Sequence, residues 1–221
     1  LAAIGRGETP PRAPPAPGAT LFDQHADVFD DILVERLGYN VPMAARRAAM
    51  DLGLVPVARC LDLGCGTGLA GEALRDLVDD LVGVDLSEGM VEIAHEKEVY
   101  DRLFVADAET FLAMTTDGPW NLVVATDVLP YLGGLEALFR GVRTHLSPGG
   151  VFVFSSETLP DAAFAGAPFR VGPHHRFAHD PAYVARLLAE NGLVPLAFEP
   201  IVVRHESGEP IRGHLVVARL D

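Results

Sequence analysis

Apolar positions along this chain switch between two periods, and the switches fall at glycine, proline or aspartate. From Leu21 the spacing is helical: Phe22, His25, Ala26, Phe29, Ile32, Leu33 and Leu37 recur at intervals of three and four, with Asp23, Asp27, Asp30 and Asp31 marking the other side. A second helix is predicted from Pro42 to Leu52, with proline in its first turn and Gly53 after its end. The pattern then turns β-like, as Val55, Val57, Leu61 and Leu63 lead into a cluster of glycines. Leu69, Ala70, Ala73, Leu74 and Leu77 leave that cluster on a helical face. The pattern reads as strand, tight turn, helix.

The alternation repeats. Leu81–Asp85 reads as a short buried strand ending in a carboxylate, and Ser87 caps a helix through Met90, Val91, Ile93 and Ala94. Leu103–Val105 is the next strand, followed by Asp107 and a helix near Glu109–Thr115. Trp120–Thr126 follows and ends at Asp127; a helix from Leu135 to Leu146 is stopped by Ser147-Pro148-Gly149-Gly150 before the strand Val151–Ser155. Strands and helices alternating at this spacing imply a mostly parallel sheet covered on both faces. Residues 158–178 read as irregular, with Pro160, Pro168 and Pro173. A helix then opens at Asp180 or Pro181 and stops at Asn191-Gly192. Leu193–Val203 and Ile211–Leu220, parted by the turn-like Glu206–Pro210, read as an antiparallel hairpin. Such a hairpin is unlike the usual dinucleotide-binding domain.

Composition narrows the reading. With 221 residues, 49% hydrophobic and 22% charged, the chain supports one substantial core. Residues 1–20, rich in proline (Pro10, Pro11, Pro14, Pro15, Pro17), read as an arm or linker, and 21–221 as one domain in which 21–54 form a helical cap. The chain opens on Leu1 rather than Met, which suggests a fragment or a processed chain. A net charge of −14 repels nucleic acid and anionic membranes, and no apolar run approaches the ~20 residues that span a bilayer. The two cysteines, Cys60 and Cys65, make neither a disulfide scaffold nor a zinc site, so no metal and a reducing, cytoplasmic setting are expected.

The glycine turn carries the chemistry. Gly66, Gly68 and Gly71 satisfy the G-x-G-x-x-G spacing of a dinucleotide site. Asp62, two residues before Gly64, points elsewhere, because a carboxylate at the strand end repels a pyrophosphate and suits a ligand with an ammonium group. In open α/β sheets, ligands bind beyond the carboxyl ends of the strands. Asp62, Asp85, Asp107 and Asp127 all fall at or just past such ends.

Asp62-Leu63-Gly64-Cys65-Gly66-Thr67-Gly68, Gly83-Val84-Asp85-Leu86-Ser87, Asp107-Ala108 and Leu146-Ser147-Pro148-Gly149-Gly150, in that order, resemble class I S-adenosylmethionine-dependent methyltransferases of the small-molecule type. Leu21-Phe22-Asp23, Arg176-Phe177-Ala178-His179 and the Arg204…Gly213 stretch are similar, more narrowly, to methyltransferase domains that follow tetratricopeptide repeats in some bacterial proteins. On that likeness the proline-rich arm would join an upstream repeat domain. The resemblance implies a Rossmann-like three-layer α/β sandwich, its seven-stranded sheet mostly parallel with an antiparallel C-terminal hairpin. It also implies S-adenosylmethionine as cofactor, with the turn of Gly64, Cys65, Gly66 and Gly68 beneath its methionine and ribose portions. Asp85 would accept from both ribose hydroxyls. Leu86 and Met90 would pack on adenine, Asp107 would accept from the adenine amine, and Ala108 would give a backbone contact. Asp62, Thr126 and Asp127 would lie at the amino-acid portion and the sulfonium.

Candidates for a general base are His174, His175 and His179, in the segment where an acceptor loop is expected. A solvated or locally hydrogen-bonded histidine is the plainer reading of each. Likewise Asp85 and Asp107 would serve as plain helix caps, and Arg176 and Arg204 would pair with either an acceptor anion or the chain's own carboxylates. The expected activity is methyl transfer to a small molecule. The competing readings are a nicotinamide-dependent oxidoreductase, opposed by Asp62 and the hairpin, and a cofactor-binding module without catalysis, motivated by the weakness of the base candidates.

Overall fold

A computed structural model describes residues 38–172 and 175–221. The arm at 1–20, the helix expected from Leu21 with Phe22, His25 and Phe29, and His174 lie outside the described residues. The first described helix, α1 (Val41–Asp51), carries Pro42 in its first turn and ends before Gly53 at φ +64°. There follow β1 (Val57–Leu63), α2 (Leu69–Leu74), β2 (Val78–Asp85), α3 (Glu88–Glu96), β3 (Arg102–Val105), α4 (Ala108–Met114) and β4 (Trp120–Ala125). A 3-10 turn at Leu129–Tyr131 leads to α5 (Glu136–His145), β5 (Leu146–Glu157) and α6 (Asp161–Phe164). The chain closes with β6 (Phe169–Val171), β7 (Phe177–His179), α7 (Pro181–Glu190), β8 (Leu193–Glu206) and β9 (Glu209–Leu220).

Seven strands form one sheet in the order β3-β2-β1-β4-β5-β9-β8. β1 pairs in parallel with both β2 and β4, so the strand order reverses between them. β9 runs antiparallel to both β5 and β8, and Ser207-Gly208, at φ 52° and 82°, make the tight turn of the hairpin. The fold is the expected mostly parallel α/β sandwich with an antiparallel C-terminal hairpin.

Period-two alternation builds the two faces. Leu61, Leu63, Val82, Val84, Val123, Phe152 and Phe154 face one core, where α4, α5 and α7 bring Phe111, Leu112, Phe139, Leu187 and Leu188. Cys60, Leu81, Leu122, Val124, Val151 and Val153 face the other, covered by Val41, Ala45 and Leu74. Phe139 meets Phe152 and Phe154 edge-on at 5.6 and 5.4 Å, which locks α5 to the centre of the sheet.

Two expectations change. The Ser147–Gly150 stretch does not lie outside the strand: it falls within β5 as a bulge between the Leu146–Trp120 and Val151–Leu122 pairs, with Gly149 at φ +74°. Residues 158–178 are not irregular throughout. They hold α6 and a two-stranded ribbon, β6 against β7. Three-residue strands are too short to show a period; what fixes them is packing of Phe169 on Phe177 at 5.8 Å and on Tyr183 at 6.3 Å. Among the described residues, no helix is long and apolar enough to cross a membrane.

Candidate active site

The site lies where the strand order reverses. Beyond β1, the Gly64 and Cys65 amides both donate to the Val84 carbonyl, at 2.7 and 3.0 Å, which folds the turn across the end of β2. Gly64 has φ +68°, and a Cβ there would sit 2.3 Å from Val128 Cγ2. Gly66, at φ +53°, differs: a Cβ there would meet nothing within 4 Å, so the turn presents bare backbone to open space. Gly68, also left-handed, caps α2. Asp85 ties the turn to its own helix, accepting from the Gly66 amide through Oδ2 and from the Ser87 amide through Oδ1, each at 2.9 Å.

Asp62 is fully buried. The Tyr100 hydroxyl donates to its Oδ2 at 2.6 Å, while Oδ1 has no hydrogen-bond partner among the described residues. Burial pushes this carboxyl up to about 7 against the opposing Tyr100 hydrogen bond, and the Asp85 charge pushes the same way as burial. Around the adjacent rim, Leu86 is half exposed and Met90 is buried in the core. Asp107 accepts from the Thr110 amide at 3.0 Å and so caps α4, and Ala108 packs against the core beside it. Capping uses Asp107 Oδ1.

Across the reversal, the ends of β4, β5 and β8 hold a different arrangement. Asp127, left-handed at φ 60°, donates its amide to Ser155 Oγ at 2.8 Å and receives Arg176 Nη1 at 3.1 and 2.9 Å. Glu157 accepts from Arg204 Nη1 at 2.7 Å and Arg176 Nη1 at 3.2 Å, and Arg204 Nε donates to Glu206 at 2.9 Å. Arg176 also donates to the Tyr131 hydroxyl and lies over its ring, 4.6 Å from the centroid. Burial works against the Arg176 charge, but Asp127, Tyr131 and Glu157 overcome it, so its pKa is raised. Arg176 and Arg204 therefore pair with the chain's own carboxylates, which resolves the alternative left open by sequence. Tyr39 bridges the halves: its hydroxyl bonds to Thr126, and burial, then Asp127, with Asp62 adding, push it up.

The histidines separate. His179 is a correction: it lies in β7, 1% exposed, with Nε2 donating to the Leu132 and Gly133 carbonyls at 2.9 and 3.1 Å. Burial lowers its pKa to about 4, so the ring stays neutral and braces the turn after β4 instead of serving as a base. His175 is exposed at φ 60° in the bend between β6 and β7. Tyr39, Tyr100, Tyr131 and Glu157 were not singled out in the sequence. Glu157 carried a signal, a carboxylate ending an apolar strand. Tyr100 carried none, since its partners lie 29 and 38 positions away.

A methyltransferase-domain family model matches residues 34–197. A ubiquinone biosynthesis O-methyltransferase of Xanthomonas campestris pv. campestris is 33% identical over 138 residues, covering 61% of this chain and 53% of that protein. A demethylmenaquinone methyltransferase of Beutenbergia cavernae is 33% identical over 147 residues, covering 64% and 58%. The chain thus spans little more than half the length of the curated relatives it matches. Among solved structures, an S-adenosylmethionine-dependent methyltransferase from Clostridium acetobutylicum superposes with a TM-score of 0.66 at 17% identity, covering 90% of this chain and 99% of that one.

Proposed function

The chain belongs to the methyltransferase-domain family, and from that premise we propose that it transfers the methyl group of S-adenosylmethionine to a small-molecule acceptor. One observation carries the cofactor: a buried carboxylate, Asp62, with an unpartnered oxygen beside a turn that is open over Gly66. A buried unpaired carboxylate oxygen is costly, and a ligand ammonium offsets that cost. A pyrophosphate over the same turn would instead meet the Asp62 carboxylate, which opposes the nicotinamide reading.

On this reading, Gly64, Cys65, Gly66 and Gly68 form the floor and Asp62 binds the ammonium. Asp85 accepts from the ribose, Leu86 and Met90 flank the adenine, and Asp107 and Ala108 bound its edge. When bound, the cofactor supplies a methyl on a positively charged sulfur already activated toward displacement. What remains for the protein is to hold the acceptor in line and exclude water. Asp127, locked to Arg176, with Tyr131 and Tyr39, walls the acceptor side of the reversal. His175 and His174 stay as candidate bases for acceptors that must lose a proton, His174 lying outside the described residues.

The two quinone-biosynthesis relatives support a small-molecule acceptor. The net charge of −14 supports the exclusion of nucleic acid, and two unpaired buried cysteines support a cytoplasmic setting. We read residues 1–20 as a linker, a joint suited to an upstream repeat domain, and 21–54 as the cap of a domain running to 221. Calorimetric titration with S-adenosylhomocysteine tests the reading. Saturable binding that Asp85→Ala weakens by roughly 1–3 kcal/mol is expected. Binding of NADH in its place would overturn it.

A further inference from the structure

Tyr100 sits in the connection before β3, outside every motif that marks the cofactor site, yet three parts of that site converge on it. Its hydroxyl donates to Asp62 Oδ2 at 2.6 Å and accepts from the Gly71 amide at 3.1 Å. Its ring lies so close that a Cβ on Gly71 would be 2.5 Å from Cζ, and one on Gly83 would be 2.9 Å from Cε1. One side chain therefore joins the end of β1, the first turn of α2 and the middle of β2. Only the two glycines leave room for it.

We propose that Tyr100 is a positioning residue for cofactor recognition: by occupying Oδ2 of Asp62 and holding that carboxylate against α2, it reserves Oδ1 for the ammonium of the amino-acid arm. The inference rests on the cofactor reading above and deepens it. A carboxylate has two oxygens that compete for one donor. With Oδ2 engaged, a ligand donor finds a single, fixed oxygen. Among the described residues, the hydroxyl is also the one neighbour that favours the ionised form of Asp62. Asp85 and burial disfavour that form, and the other titratable groups around it, Cys60, Cys65 and Tyr39, bring no positive charge.

Two ligands that differ only in the amino-acid arm separate positioning from plain structural support. S-adenosylhomocysteine carries the arm; 5′-methylthioadenosine is the same adenosine thioether without it. Titrating both into native chain and Tyr100→Phe, the variant should lose about tenfold in affinity for S-adenosylhomocysteine, the scale of a charge-assisted hydrogen bond. Affinity for methylthioadenosine should stay within about twofold, which also reports that the turn is intact. In the native chain, S-adenosylhomocysteine binding should strengthen as pH rises through about 7 and Asp62 ionises. Tyr100→Phe should move that midpoint upward. Equal losses for both ligands, or no loss for either, would overturn the proposal while leaving the cofactor assignment standing. A native chain that binds neither nucleoside would overturn both.

Discussion

The two halves of the site on either side of the strand reversal solve the problem of burying charge in opposite ways. At the ends of β1 and β2, Asp85 accepts from two backbone amides and Asp62 from one tyrosine hydroxyl. At the ends of β4, β5 and β8, Asp127, Glu157 and Glu206 are matched by Arg176 and Arg204, and Tyr131 closes the set. On the first side Asp62 Oδ1 has no hydrogen-bond partner among the described residues, and on the proposed function a ligand completes it. On the second side the charge is completed by the fold, so it supplies shape and rigidity rather than affinity.

Removing a cation from the second side should have the largest effect. Arg204 is 1% exposed, and Arg204→Met leaves Glu157 and Glu206 without their main partner, so a loss of about 3–5 kcal/mol of stability is expected in denaturant unfolding. A loss well under 1 kcal/mol would mean that solvent reaches the cluster and that the contrast between the halves is false.

The same operation on the first side should do the reverse. Asp62 has a folded pKa of about 7, above its ordinary 3.8, so the folded chain holds the proton more tightly than the unfolded one. Stability then falls as pH rises from the lower value through the upper, and the full cost is present above it. Asp62→Asn keeps an acceptor for Tyr100 and should be more stable than the native chain near pH 8, while binding S-adenosylhomocysteine more weakly by roughly 1–3 kcal/mol. Melting and calorimetry on one preparation check both signs.

Gly66→Ala sharpens the first side further. An alanine there meets no atom within 4 Å but must hold φ +53°, so about 1 kcal/mol of stability should be lost. Nucleoside binding should fall by a larger factor, because the methyl occupies the space over the turn. A parallel loss in both would mean that the turn, not the ligand, occupies that space.

The smallest effect at neutral pH belongs to His179. Its folded pKa of about 4 lies below the ordinary 6.5, so the unfolded chain takes the proton first as pH falls, and stability is lost between those values. His179→Gln retains a donor for the Leu132 carbonyl and should flatten that acid limb, read as denaturation midpoints near pH 5 and pH 7. Its slope opposes that of Asp62 over the same window.

Local pattern determined much of this protein. Alternating apolar residues, Pro42 and Gly53, the Ser87 cap, the glycine turn and the hairpin around Ser207-Gly208 each act over a few residues, and each became the element expected. Asp62, Asp85 and Asp107 were legible as strand-end carboxylates for the same reason. Tertiary structure alone decided which charges meet. Arg176 lies 49 positions from Asp127, Arg204 lies 47 from Glu157, and Tyr100 lies 38 from Asp62. His179, legible as a base, became a strut because Leu132 and Gly133, some 47 and 46 residues earlier, present their carbonyls to it. Periodicity records which face of an element is buried, since that depends on the element's own geometry. Which polar groups share a buried volume depends on how separate elements cross, and nothing in the local sequence encodes that crossing.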